Sequence, residues 1–361
     1  MISLVKELPT GVDYLVTGTS NSYLGVRDNS FQLGAYPLRS TAEVFWRLTQ
    51  AAYAESADDV NVGMETGIGN GALVTKQDVL VDLQANLPYW IRPSQVFGVA
   101  YDAKLDVLAY VVMLSDDRLV LAFRGTIKTS CQDWQDDVDV QLTSANVAGC
   151  HLCKTHLGFQ RSWGVLKSEV MTHLMSALDH SPNVRSVHVT GHSLGGAIAT
   201  IASYDLQNAR LCPTSGSCLS IASVYTFGAP RSINNAFAAH YLKTKVWPMW
   251  RFTHWKDPVP HVPLMQMGFH HVGTEVFLGQ CKKTPDGSFE PVRILGFGDG
   301  SGEDSRCSNA VMNGLPHVSD HTDYFCHNAI IIPPAPASPP SLHSASSANS
   351  ANTIRQKIML E

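Results

Sequence analysis

The chain carries few charges and lacks any long apolar run. Only 16% of its 361 residues are Asp, Glu, Lys or Arg, and the formal net charge is −5. No basic run is present, so nucleic acid and anionic membrane surfaces are not expected as partners. Even residues 107–121 are interrupted by the polar residues 115–118, whereas a membrane-spanning helix needs about 18 uninterrupted apolar residues. We therefore expect a soluble protein without a transmembrane segment, acting on a neutral or apolar substrate.

The amino terminus lacks the pattern of a secretory leader. Met1 is followed by a short apolar stretch that ends at Lys6 and Glu7, and no basic region precedes that stretch. A leader is therefore either already removed or absent. The 8 cysteines, in contrast, are many for a reduced cytosolic protein and indicate an oxidising compartment. We expect a secreted, extracellular protein, with the vacuole or the cytoplasm as alternatives.

Several cysteines fall into pairs that are close in sequence. The pairs are Cys150 with Cys153, Cys212 with Cys218, and Cys281 with Cys307 across a loop rich in Gly and Asp. We expect structural disulfides, although their connectivity cannot be deduced from sequence. The alternative for Cys150 and Cys153 is half of a zinc site with His151 or His156, but no second ligand pair follows at zinc-finger spacing. A structural bridge is also favoured over a redox-active pair.

Hydrophobic periodicity divides the chain into alternating helices and strands. Helices are predicted over residues 36–56, 158–179, 194–206 and 233–242, and strands over residues 96–101, 107–114, 119–123, 184–190, 221–227 and 250–253. Residues 61–76, rich in Gly and polar side chains, are predicted to form an irregular loop. This alternation predicts an α/β fold with a mainly parallel central sheet and helices on both faces.

One domain and a tail are expected. Residues 1–332 form the domain, in which residues 1–95 are a helical and irregular N-terminal segment. Residues 333–361 begin with Pro-Pro-Ala-Pro-Ala-Ser-Pro-Pro and continue with many Ser, Ala and Asn residues. Because such a composition buries too little apolar surface to offset its ordering entropy, a disordered tail is expected there.

Residues 191–195 read Gly-His-Ser-Leu-Gly, which fits the Gly-x-Ser-x-Gly motif of a nucleophilic serine. The glycines lack the Cβ atoms that would clash where a strand turns sharply into a helix. A predicted strand precedes the motif and a helix of small side chains follows it, so we predict Ser193 as the nucleophile. The alternative is a glycine-rich turn without chemistry. His192 adjoins Ser193 but would point elsewhere, and we interpret it as a packing residue.

Six signatures occur together in chain order. They are Leu-Ala-Phe-Arg-Gly-Thr at 121–126, His-Leu-Gly-Phe at 156–159, Gly-His-Ser-Leu-Gly-Gly-Ala at 191–197, Tyr-Thr-Phe-Gly-Ala-Pro-Arg at 225–231, Asp-Pro-Val-Pro-His at 257–261 and Asp-His-Thr-Asp-Tyr-Phe at 320–325. In these signatures the chain, from about residue 98 to 325, resembles the class 3 (fungal-type) lipases. The resemblance implies the α/β-hydrolase fold and a serine ester hydrolase.

In α/β-hydrolases the catalytic acid follows the serine, and the histidine follows the acid. Asp257 comes after the predicted strand 250–253 and before a proline, which favours an extended or turn conformation at a strand end. The resemblance assigns Asp257 as the acid that orients the imidazole. The alternative is an aspartate that only begins a turn.

Three late histidines are candidates for the base: His317, His321 and His327. The family pattern places a tyrosine three residues after the histidine, and this matches His321 with Tyr324. We therefore predict His321, with His317 as the alternative.

Ester hydrolysis passes through a tetrahedral oxyanion, so two hydrogen-bond donors are expected. One is the backbone N–H of Leu194, and the resemblance points to Thr126 for the other; the alternative for Thr126 is a polar strand-end residue. The family's lid corresponds to residues 127–134. This segment is short and mostly polar, so strong interfacial activation is not expected.

The leading hypothesis is a triacylglycerol lipase or broad carboxylic-ester hydrolase that works through an acyl-enzyme. Its partners are an acyl-ester lipid and the lipid interface, with an acyl site lined by residues 263–269 and 311–312 unless these only fill the core. A phospholipase or feruloyl esterase would use the same triad. Two hypotheses from outside the enzymes are a catalytically silent lipid-binding relative and an interaction protein that uses the proline-rich tail. No metal or organic cofactor is implied, and the oligomeric state stays open.

Overall fold

The computed structural model of the chain describes the residues 14–15, 36–37, 39–53, 74–88, 91–125, 140–213, 218–245, 247–290, 292–312 and 315–326. The strands are β1 Tyr14–Leu15, β2 Tyr36–Pro37, β3 Pro93–Asp102, β4 Val107–Leu114, β5 Leu119–Phe123, β6 Leu142–Ser144, β7 Lys154–His156, β8 Ser186–His192, β9 Ser220–Phe227, β10 Ile233–Asn234, β11 Met249–His254, β12 Phe269–His270, β13 Thr274–Leu278 and β14 Ile294–Phe297. The helices are α1 Arg39–Ala51, α2 Lys76–Asn86, α3 Leu157–His180, α4 Leu194–Ala209, α5 Asn235–Thr244 and α6 Ser319–Thr322. Short 3-10 helices occupy Val259–His261, Met265–Met267 and Ser308–Val311.

Eight strands form the central sheet, in the order β14-β13-β11-β9-β8-β5-β4-β3. In this order the neighbours β13, β11, β9, β8 and β5 pair in parallel. The strands β14, β4 and β3 pair antiparallel with their neighbours. A second sheet has the order β12-β10-β7-β6. The predicted α/β architecture is confirmed. The signature 191–197 begins at the carboxyl end of β8, and the signature 257–261 follows the carboxyl end of β11.

The central sheet is covered on both faces. Side chains alternate along β4, so that Val107, Ala109 and Val111 join a core formed with α3, α4 and α5. Leu108 and Tyr110 point the other way, into a core with α1 and α2. All residues of β4 are buried, which is typical of a strand covered on both faces. Among the described residues, no helix is long and apolar enough to cross a bilayer.

One helix is missing from the sequence prediction, and two predicted segments cannot be compared with the structure. The helix Lys76–Asn86 was not predicted, because only Val79 and Leu83 are buried and its apolar periodicity is weak. A capping box between Thr75 and Asp78 marks its start and is the signal that could have identified it. The predicted loop over 61–76 and the predicted tail over 333–361 lie almost wholly outside the described residues.

Three disulfides are present among the described cysteines. Cys150 pairs with Cys153 and Cys212 with Cys218, so the former pair forms a bridge and not half of a zinc site. Cys281 does not pair with Cys307, its neighbour in the sequence, because it bonds to Cys326. Cys307 is a buried free thiol, and a Cβ on Gly296 would lie 3.9 Å from its Sγ.

Candidate active site

Ser193 lies between β8 and α4, at the turn that the sequence predicted. Its φ is 56° and its ψ is −131°, a strained conformation for a residue with a side chain. The Ser193 N–H donates to Phe227 O at 2.9 Å, which attaches the turn to the end of β9. A Cβ on Gly191 would lie 2.3 Å from Gly195 O, so only glycine permits this close approach. Ser193 itself is 8% exposed.

Leu194 is the first residue of α4 and is buried. The first N–H groups of a helix have no acceptor within the helix, so the Leu194 N–H is available to a substrate oxyanion. Gly125 follows β5 and lies beside the serine, since a Cβ on Gly125 would be 2.9 Å from Ser193 Cβ. Thr126 and the predicted lid over 127–134 lie outside the described residues.

The carboxylate of Asp257 lies just beyond β11 and is 1% exposed. It accepts hydrogen bonds from Val259 N at 2.9 Å and Tyr324 Oη at 2.5 Å, in addition to His321 Nδ1. Burial acts to raise the pKa of Asp257, but the charge of His321 and these three donors outweigh it and lower the pKa. Asp257 therefore stays ionised.

His321 meets Asp257 through Nδ1, at 3.1 Å from Oδ1 and 3.0 Å from Oδ2. Because an ionised carboxylate only accepts, Nδ1 carries the proton and Nε2 is left as the basic nitrogen. The alternative candidate, His317, is about half exposed and its Nδ1 lies 3.4 Å from Asp320 Oδ2. His327 lies outside the described residues. Of the predicted histidines that are described, His321 is the one brought to Asp257.

Two further histidines, which sequence reasoning did not assign to the site, contact the backbone around His321. His254 Nδ1 donates to Asp320 O at 2.9 Å, and His192 Nε2 donates to His321 O at 2.8 Å. Burial lowers the pKa of His192 to about 3, and the neighbouring charge of His321 adds to this effect. His192 is therefore more than a packing residue, because it links the turn at Ser193 to the backbone of His321.

Gly228 follows β9 and leaves room for the pair. Its φ is +59°, and a Cβ there would lie 2.9 Å from Asp257 Oδ2, His321 Nδ1 and Tyr324 Oη. A side chain at position 228 would collide with the hydrogen bonds that hold the imidazole. The predicted signature at 225–231 thus contributes space, not a functional group, to the site.

Exposed apolar side chains follow Asp257 and precede His321 along the chain. Leu264, Met265 and Met267 are 51%, 44% and 49% exposed, and Leu315 is 82% exposed. Phe269, in contrast, is buried. The predicted acyl-lining segment 263–269 therefore combines exposed apolar residues with core residues. In the described part of the chain, no cluster of three or more His, Cys, Asp or Glu could hold a metal ion.

Comparison with known proteins identifies relatives over this region. Residues 120–267 match the family model of the class 3 lipases. The secreted mono- and diacylglycerol lipase A of Penicillium cyclopium is 34% identical over 174 residues, which cover 48% of this chain and 52% of the relative. A lipase of Rhizomucor miehei is 32% identical over 212 residues, covering 58% and 53% of the two chains. The chain thus spans about half the length of the curated relatives it matches.

Solved structures give a wider overlap. Lipase II of Rhizopus niveus superposes with a TM-score of 0.59 and 26% identity, covering 80% of this chain and 94% of that chain. A triacylglycerol lipase, whose catalytic centre is described as a serine protease triad, gives a TM-score of 0.51 and 28% identity. That match covers 65% of this chain and 81% of the lipase. Both neighbours share the α/β-hydrolase fold with this chain.

Proposed function

Because the chain belongs to the class 3 lipase family, we propose that it is a serine carboxylic-ester hydrolase that cleaves acylglycerols through an acyl-enzyme. The observation that carries the proposal is the buried Asp257–His321 pair beside a strained serine turn. The sequence motif at Ser193 and the hydrogen bonds between His321 and Asp257 support Ser193, Asp257 and His321 as the proposed triad.

In the proposed acylation step, Ser193 Oγ attacks the ester carbonyl carbon while His321 Nε2 takes the hydroxyl proton. The Leu194 N–H and Thr126 donate to the resulting oxyanion. As the tetrahedral intermediate collapses, the C–O bond to the alcohol breaks and His321 gives its proton to the leaving oxygen. Asp257 stabilises the imidazolium throughout, since its carboxylate remains ionised.

Deacylation repeats the sequence with water. His321 Nε2 takes a proton from the water that attacks the acyl carbon, and it returns the proton to Ser193 Oγ as the acyl–serine bond breaks. The fatty acid leaves and the serine is regenerated. Every proton and bond in these steps is accounted for by the chain's side chains, its backbone donors, the ester and water.

An acyl chain is the proposed substrate group because apolar side chains are exposed in the segments that adjoin Asp257 and His321 in the sequence. Leu264, Met265, Met267 and Leu315 would contact it, and flexible methionines accept chains of different shape. The relatives named mono- and diacylglycerol lipase and the neighbour named triacylglycerol lipase support glycerol esters as the class. Secretion is proposed as well, because relatives are named as secreted and the described residues contain three disulfides.

Replacement of the nucleophile tests the reaction. Ser193→Ala should lower the hydrolysis of p-nitrophenyl esters by about 10⁴-fold or more, because attack by Oγ is lost. Ser168→Ala, on an exposed position of α3, is the matched control and should retain the wild-type rate. A near-wild-type rate in Ser193→Ala would contradict the proposal, and failure of a fluorophosphonate to label wild-type protein would favour a silent relative.

A substrate panel tests the ester class. Monoacyl-, diacyl- and triacylglycerols should be cleaved faster than a phospholipid or a feruloyl ester of matched concentration. If the phospholipid or the feruloyl ester is cleaved faster, the proposed triad stands and the proposed substrate class is wrong.

A further inference from the structure

Three hydrogen bonds connect the end of β5 to the proposed base through two side chains. The Gly125 N–H donates to Tyr53 Oη at 3.0 Å, and Tyr53 Oη lies 3.0 Å from His192 Nδ1. His192 Nε2 lies 2.8 Å from His321 O. The connected groups come from segments far apart in sequence, since 72 residues separate Tyr53 from Gly125 and 139 separate it from His192.

The direction of each hydrogen bond follows from the groups themselves. A backbone carbonyl only accepts, so His192 must donate from Nε2 to His321 O. The neutral ring then has a bare Nδ1, which accepts the proton of Tyr53 Oη. Tyr53 in turn accepts from the Gly125 N–H, so the phenol is both donor and acceptor. The three bonds fix a single tautomer of His192.

Electrostatics keep both side chains neutral. Burial lowers the pKa of His192 to about 3 and raises the pKa of the Tyr53 phenol well above its usual value. The rings of His192 and His321 lie 4.6 Å apart between centroids. A neutral His192 therefore places no second positive charge beside His321 when that imidazole takes the serine proton.

We propose that Tyr53 and His192 are positioning residues that hold the backbone of His321 in register with the end of β5. This inference rests on the proposed function, because it assigns to His321 the role of base and to the segment after Gly125 the role of oxyanion donor. Through the relay, His321 and the end of β5 at Gly125 keep one relative position during proton transfer. Neither Tyr53 nor His192 touches the ester.

The first test removes the phenol hydroxyl. Tyr53→Phe should lower kcat about 3- to 10-fold and change KM less than about twofold, because one buried hydrogen bond is lost and substrate contacts remain. Tyr110→Phe is the matched control, since Tyr110 is a buried tyrosine whose hydroxyl donates to Leu48 O in α1, away from the relay. Both variants should lose similar thermal stability, but only Tyr53→Phe should lose kcat. An unchanged kcat in Tyr53→Phe overturns the proposal.

The second test asks whether Tyr53 acts through His192. His192→Gln, whose amide N–H can still donate to His321 O, should retain more activity than His192→Leu. In the His192→Leu background, Tyr53→Phe should lower kcat by less than about twofold, because the relay is already broken. If the loss of kcat in the double variant equals the product of the losses in the two single variants, the residues act independently and the relay is overturned.

Histidine NMR of the full chain separates this inference from the proposed function. In wild-type protein at neutral pH, His192 should be neutral with its proton on Nε2, and Tyr53→Phe should keep this tautomer and shift the Nδ1 resonance, because only the hydrogen bond to Nδ1 is lost. A charged His192, or one with its proton on Nδ1, overturns the relay even if a variant fails to fold. If wild-type protein cleaves no ester while this tautomer is observed, the proposed function fails and the hydrogen-bond relay stands.

Discussion

Two buried polar regions hold the chain around Asp257, and they use different chemistry. The histidine network, defined as His192, His254, His321 and Tyr324, consists of hydrogen bonds between rings, a carboxylate and backbone carbonyls. Within it, His321 is the group that must gain and lose a proton during the proposed reaction.

The ion-pair cluster, defined as Arg231, Arg251, Glu275 and Glu303, contacts the chain that follows Asp257. Arg231 meets both oxygens of Glu303 at 2.8 and 3.0 Å, and Arg251 meets Glu275 at 2.8 Å. All four side chains are at most 6% exposed. Arg231 also donates to the carbonyls of His261 and Pro263, so the cluster supports the chain that follows Asp257.

The difference shows where permanent charge is tolerated. Fixed charges next to His321 would shift its proton affinity, and the network there uses neutral donors and acceptors apart from Asp257 itself. The cluster has no proton to transfer, so full charges can be paired and buried to hold the backbone. Changes in the network should therefore alter kcat, whereas changes in the cluster should alter the free energy of unfolding.

The largest effect is expected in the cluster. Glu275 accepts from Arg251, Thr253 and Ser308, so Glu275→Leu leaves a buried guanidinium without its partner. The free energy of unfolding should fall by about 3–5 kcal/mol, measured by urea denaturation. Lys167→Met, which removes a half-exposed ion pair to Asp205, should cost less than about 1 kcal/mol.

A double variant sharpens that result. Arg251→Met combined with Glu275→Leu removes both charges and should recover part of the lost stability. A loss in Glu275→Leu no greater than that in Lys167→Met would show that the cluster does not support the chain after Asp257.

An effect of intermediate size is expected from acid, because buried histidines and buried carboxylates lose their contributions to stability at different pH. The pKa of His192 and that of His188 are about 3 in the folded chain, mainly through burial, against about 6.5 when unfolded. The unfolded chain therefore binds more protons below pH ~6.5, and each histidine should cost about 2 kcal/mol of stability at pH 5. The pKa of Glu303 is lowered, so the contribution of this carboxylate is lost only below pH ~4.5.

Urea denaturation at pH 7, 6, 5 and 4 measures this dependence. Between pH 6 and 4, His188→Gln should reduce the slope of the free energy of unfolding against pH by the contribution of one histidine. His151→Gln, at an exposed position, is the control. Equal slopes for wild type and His188→Gln would count against a neutral, buried His188.

The smallest effect is expected from one hydroxyl in the network. Tyr324→Phe removes the donor to Asp257 Oδ2, which raises the pKa of Asp257 and weakens its hold on the imidazole. The value of kcat/KM should fall about tenfold, equivalent to ~1.4 kcal/mol. Tyr241→Phe, which removes a buried hydroxyl bonded to Ser203, should lower stability and leave kcat/KM unchanged. Equal kcat/KM values in the two variants would contradict the role of Tyr324.

The sequence allowed prediction of whatever depends on local pattern or chain order. The turn around Ser193 is a local motif, and the order serine, aspartate, histidine selected Asp257 and His321, which the fold brings within hydrogen-bond distance. Contacts between distant segments were not accessible in this way. No spacing relates Tyr53 to His192, because β5, β8 and α1 must assemble before the two side chains meet.

The strand Thr274–Leu278 shows why some of the fold was missed. All five of its residues are buried, but Glu275 interrupts the apolar pattern by which buried strands are recognised. Its charge is matched by Arg251 on the neighbouring strand β11, which becomes visible only when the strands are paired. The charge of Glu275 therefore hides the strand from a search for apolar runs, and its pairing with Arg251 is apparent only in the structure.

The hydrogen bonds of the site depend on the absence of a side chain at Gly228. The Asp257, His321 and Tyr324 atoms around it converge on the space where a side chain would begin. For protein engineering, position 228 is therefore a place where even a methyl group must displace the imidazole or its partners. The tolerance of this position to substitution is set by geometry alone, and a library that varies the acyl-contacting residues should leave it as glycine.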